Sequence, residues 1–186
     1  MNPRISIFLL LCIPFLGLAQ HSSQEKSHPA EGVEVHHEDF KPFRVALLLG
    51  HTLIPEEHAG ENFFIPSWGL DIEYWFNSYI GAGLHNDIEL ETYVVLGTGG
   101  ESEDLERVSP LVATVDLLIR PWKGLVLQVG PGIEFEKGEN FGLMRFGVEY
   151  EVEIGDHWDL CPTIFYDTRF SQYNTWSLAL GVAKRF

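Results

Sequence analysis

The chain has 186 residues and a formal charge of −15, with 27 acidic residues against 12 lysines and arginines. So acidic a chain repels nucleic acid, and no stripe of basic and aromatic residues offsets that. Cys12 and Cys161 are its two cysteines, too few for a multi-thiolate zinc site.

Residues 1–19 are expected to be a cleaved signal peptide. Arg4 gives a positive start, residues 5–18 are apolar, and Gly17 and Ala19 place small residues before a cut ahead of Gln20. The run is shorter than the ~20 apolar residues of a spanning helix. Leu11 stands where a lipoprotein signal needs a small residue, so lipid attachment at Cys12 is not expected. Cleavage leaves Cys161 alone and excludes an internal disulfide. Residues 20–42 are polar, with His21, His28, His36 and His37 among acids, and have little to bury; they are expected to form a flexible leader.

From Phe43 onward apolar residues recur at every second position, the period of a strand with one greasy face. Eight such blocks follow: 43–54, 65–76, 79–93, 108–120, 124–136, 141–154, 158–169 and 173–186. In the first, Phe43, Val45, Leu47 and Leu49 oppose Arg44, Ala46, Leu48 and Gly50. In the third, Asn86 falls among the apolar residues. The last sets Trp176, Leu178, Leu180 and Val182 against Ser177, Ala179, Gly181 and Ala183.

Residues 76–79, 121–124 and 155–157 are short and rich in turn formers, whereas 55–64 and 94–107 are long connections. Residues 136–140 and 170–172 complete the second set. This arrangement predicts an all-β fold, an eight-stranded antiparallel up-and-down transmembrane β-barrel over 43–186, with periplasmic turns and external loops. A secreted, soluble lipocalin-like barrel would turn the apolar face inward around a hydrophobic ligand. It leaves Gly81, Gly83, Gly130, Gly132, Gly147 and Gly181 on the polar face without a purpose, while the crowded interior of a small membrane barrel needs them.

On these residues the chain resembles the small eight-stranded outer-membrane barrels, the group that includes the OmpA membrane domain. The resemblance spans 43–186 and rests on the signal peptide, the eight amphipathic strands and the ending Trp176, Leu178, Leu180, Val182 and Phe186. It implies export to the outer membrane of a Gram-negative bacterium, contact with membrane lipid and lipopolysaccharide, and recognition of the last strand by the barrel-assembly machinery. Lys184 departs from the pattern, standing where an aromatic or apolar residue is usual.

The polar face carries the candidate chemistry. Asp71, Glu73, Asp87, Glu89, Glu91, Asp116, Glu134, Glu149, Glu151, Glu153, Asp159 and Asp167 are expected inward, opposite Arg44, Arg120, Arg145, Arg169 and Arg185. Unpaired buried charge is costly, so a structural network of ion pairs is expected. The acid excess raises a second reading, attraction of divalent cations. His85, Asp87, Glu89 and Glu91 stand about 7 Å apart along one strand face, and His36 and His37 precede Glu38 and Asp39. No other cofactor is expected.

Nucleophile elbows, phosphate loops and metalloprotease helices are absent from the sequence, so a non-enzymatic chain is expected. An acyl-chain chemistry would need His51 or His58 beside Ser67. Eight strands leave room for side chains rather than a wide pore. The expected role is structural, adhesive or envelope-supporting, with cation binding, uptake or sensing as the alternative.

Overall fold

The computed structural model describes residues 40–55, 62–96, 104–170 and 172–186. The predicted signal peptide, most of the leader, and His36, His37 and His58 lie outside the described residues.

Among the described residues the alternating sequence becomes eleven strands in chain order: β1 (Phe43–Pro55), β2 (Asn62–Trp75), β3 (Ile80–Glu89), β4 (Thr92–Leu96), β5 (Asp104–Val108), β6 (Leu111–Trp122), β7 (Leu125–Phe135), β8 (Phe141–Tyr150), β9 (Val152–Gly155), β10 (Trp158–Thr168) and β11 (Asn174–Arg185). Eight long strands form a ring, β1-β2-β3-β6-β7-β8-β10-β11, with every neighbour antiparallel. β1 pairs β11 from Arg44↔Arg185 to Leu53↔Trp176, which closes the sheet and leaves no open edge in the ring.

The ring is staggered as well as closed. Cross-strand partners from Phe43 run through Tyr74, Ala82, Leu117, Val129, Phe146, Tyr166 and Trp176 and return to β1 at Leu53, ten residues further along. A stagger of that size tilts the strands by about 35–45°. The ring strands, 10 to 14 residues long, are therefore long enough to cross a bilayer at that tilt.

Period-two burial then decides which side faces what. Arg44, Asp71, Glu73, His85, Asp116, Glu134, Arg145 and Glu149 are buried inside, while Leu49 (71 % exposed), Leu178 (66 %) and Val115 (61 %) point out. Charge inside and hydrocarbon outside is the reverse of a soluble protein. It is the arrangement that lipid requires. Asn86 is tolerated on the outer face because its Nδ2 donates to the carbonyl of Leu70 at 3.3 Å.

The three tight turns lie at one end of the barrel. In one, Asn77 Oδ1 accepts the amides of Tyr79 and Ile80, at 2.8 and 3.0 Å. In another, Asp156 and His157 both hold positive φ, the pairing that suits a two-residue hairpin. At the same end the carbonyl of Pro42 accepts from Trp75 N at 2.8 Å, tying the end of the leader to β2.

The other end departs from expectation. Residues 94–107, expected as a loop, include the second arm of a hairpin, β4 with β5, paired from Thr92↔Val108 to Leu96↔Asp104. The third and fourth predicted strands accordingly break at Leu90–Glu91 and Ser109–Pro110. The sixth breaks at Glu151, after which all four residues of β9 are exposed. These breaks put Glu91 and Glu153, both expected inward, in exposed positions.

Candidate functional site: the packed lumen

Interior side chains form tiers along the barrel axis. At the turn end Arg44 is fully buried and pairs with Glu73 and, at 2.8 Å, with Glu149. Arg120 and Arg185 both hold Glu151, at 2.8 and 2.5 Å, and Arg185 also reaches Asp159 at 3.1 Å. Trp75 seals this tier: its indole N–H donates to Glu73 at 2.8 Å, and the Arg120 guanidinium lies 3.8 Å over its ring. Leu118 and Val126 pack beside it.

In the middle tier His85 Nδ1 stands 2.9 Å from Asp116 Oδ2, which also accepts from the Thr114 hydroxyl at 2.6 Å. Two glycines make this tier fit. A Cβ on Gly83 would collide with the His85 imidazole, and one on Gly130 would collide with the Val115 carbonyl and Asp116. Gly83 thus makes room for a side chain two residues along its own strand, and Gly130 for the neighbouring strand β6.

Above them Arg145 grips Asp167 through two nitrogens, at 2.8 and 2.7 Å, and Asp87 at 2.5 Å, with its guanidinium 4.0 Å over Phe165. At the loop end Glu134 is the hub. Arg107 and Arg169 both donate to it, and so does the Tyr173 hydroxyl at 2.8 Å. Tyr93 donates to Glu89 at 2.5 Å. Arg107 extends the hub to the surface loop through the Glu139 carbonyl at 2.8 Å. In that loop Glu136 accepts the Gly138 amide at 2.6 Å, which holds its carboxyl below the usual carboxylate range.

An apolar cluster of Ile54, Ile65, Tyr93, Val95, Phe141 and Tyr173 lies at the loop end. Tyr93 and Val95 come from the hairpin, whose inner face therefore folds over the mouth.

The predicted site residues separate in this arrangement. His85 is committed to Asp116, Asp87 to Arg145 and Glu89 to Tyr93, so the strand-face ladder is divided among three tiers. Among the described residues no cluster of three or more His, Cys, Asp or Glu is set to hold a metal ion. His51 is exposed on the outer face while Ser67 is buried inside, 3.4 Å from Thr52, so the barrel wall divides that pair. Arg107, Tyr93 and Tyr173 were not anticipated as lumen residues. Arg107 and Tyr93 lie at the ends of what reads as an acidic, glycine-rich loop, and only the hairpin register turns them inward.

No protein-family model and no curated protein sequence matches the chain. Its fold does match solved structures. Ail, the attachment invasion locus protein of Yersinia pestis, superposes with a TM-score of 0.55 at 13 % identity, over 79 % of this chain and all of that one. The N-terminal β-barrel domain of Pseudomonas aeruginosa OprF gives 0.51 at 12 %, over 77 % and 97 %. Neisserial surface protein A gives 0.50 at 11 %, over 77 % and 97 %. By closure, face polarity and these likenesses, the chain has the fold of the small eight-stranded outer-membrane β-barrels.

Proposed function

We propose that this is a non-enzymatic outer-membrane barrel with a structural, envelope-supporting role, its lumen filled by ion pairs and closed to bulk solute. One observation carries the reading. Glu134 is fully buried among Arg107, Arg169 and Tyr173, with the apolar residues of the hairpin and Phe141 packed around that hub. Charged groups enclosed in this way and held by opposite charges serve packing, since a conducting path requires hydrated, exchangeable charge.

Planar-bilayer recording of the purified barrel checks this. The expected record shows no sustained large conductance steps, whereas stable large steps at every insertion would refute a filled lumen.

An adhesive role would need a basic partner. Glu91, Glu106 and Glu139 are exposed at the loop end, within a chain of net charge −15. One Ail structure is a complex with the heparin analogue sucrose octasulfate. A polysulfate has the wrong sign for the surface seen here, so that likeness supports no sulfated ligand for this chain.

A further inference from the structure

Lys184 is the residue that strand alternation does not explain. It follows Trp176, Leu178, Leu180 and Val182 on the outer face of β11, where an ammonium group meets hydrocarbon or its boundary. Arg185 beside it turns inward and is held by Glu151 and Asp159. Lys184 makes no ion pair among the described residues, although the chain has 27 acids to 12 lysines and arginines. Instead its Nζ lies 4.8 Å from the ring centre of Trp158, its cross-strand partner, and 5.8 Å from that of Phe186.

Ring faces attract a cation but accept hydrogen bonds poorly. An ammonium group has three N–H donors, which need oxygen acceptors at the membrane boundary. The amide of Phe186 donates to the Phe43 carbonyl at 2.8 Å, which anchors the last residue beside Lys184. Phe43, Tyr74 and Phe76 stack edge to face nearby, at 5.0 and 5.4 Å, continuing the aromatic girdle of the turn end.

We propose that Lys184, between Trp158 and Phe186, is a binding site for the phosphate of an anionic glycerophospholipid. The tight turns of such barrels face the periplasm, so the leaflet at this level is the phospholipid one rather than the lipopolysaccharide one. The phosphodiester oxygens satisfy the ammonium donors while the acyl chains lie along Val182 and Val45. An anionic headgroup is preferred because it brings no ammonium of its own to compete for the ring faces.

The refolded full chain in neutral detergent, titrated by native mass spectrometry, tests the site. Probes are phosphatidylglycerol, phosphatidylcholine and inorganic phosphate. The wild type should retain phosphatidylglycerol under conditions that strip phosphatidylcholine. Lys184→Gln should weaken retention about tenfold, the scale of one lost hydrogen bond to a charged group, and Trp158→Leu should weaken it in the same direction by removing the ring that positions the ammonium. Lys184→Arg should keep it, and so should Lys123→Gln, in an exposed turn at the same end. Equal retention of the two lipids overturns the proposal, as does unchanged retention in both Lys184→Gln and Trp158→Leu. So does an equal loss in Lys123→Gln, which would mean bulk charge, or inorganic phosphate displacing the lipid at equal concentration.

Discussion

Replacing Glu134 with alanine is expected to lower the unfolding free energy of the refolded barrel by about 3–5 kcal/mol, because it strands buried charge without a partner. Glu134 is fully buried and accepts from Arg107, Arg169 and Tyr173. Both arginines are buried too, and the Arg169 guanidinium keeps only the Thr175 hydroxyl, at 3.0 Å, as a hydrogen-bond acceptor among the described residues. Urea titration followed by tryptophan fluorescence reads the change. Glu139→Ala, exposed in the adjoining loop, should stay within about 0.5 kcal/mol of wild type. If the two variants behave alike, the hub does not hold the loop end together.

The second large effect concerns the opposite face. Val115 is 61 % exposed, midway along β6, and Leu84 is its partner on β3. Lysine at such a site in a soluble protein changes stability by no more than about 0.5 kcal/mol. On a lipid-facing strand at the bilayer midplane it should cost about 2–4 kcal/mol. Reversible unfolding of Val115→Lys in phospholipid vesicles therefore separates the two environments by magnitude. A neutral substitution would place this face in water.

The face polarity was legible because a strand has only two faces and a closed membrane barrel must give one to lipid. Residues as far apart as Leu47 and Leu180 both point outward, as the alternation within each strand requires. The pairing of β1 with β11 followed from closure alone. The breaks were harder to see. Glu91 and Glu153 keep the parity of their blocks, yet Glu91 sits in a break and Glu153 just past one, and alternation persists across such a break in sequence. Arg107 was hidden for the converse reason, since its neighbours Glu101, Glu103, Asp104 and Glu106 read as a solvated loop.

Which arginine meets which carboxylate was not legible at all. The ten-residue stagger sets partners at the same height from distant parts of the chain. Arg145 thus meets Asp87 across the lumen, 58 residues away in sequence. The glycines gave the better clue. Gly83 and Gly130 signalled crowding, and the groups that crowd them, His85 and Asp116, are the pair at the centre of the middle tier.

The central claim is that this chain folds as a closed barrel with its hydrocarbon face on lipid. Gel migration of membrane-extracted protein, with and without boiling in dodecyl sulfate, tests it most directly. A closed barrel with full β1–β11 pairing should resist the detergent unheated and migrate as a compact band that shifts on boiling. A single band at the same position under both conditions would contradict the account.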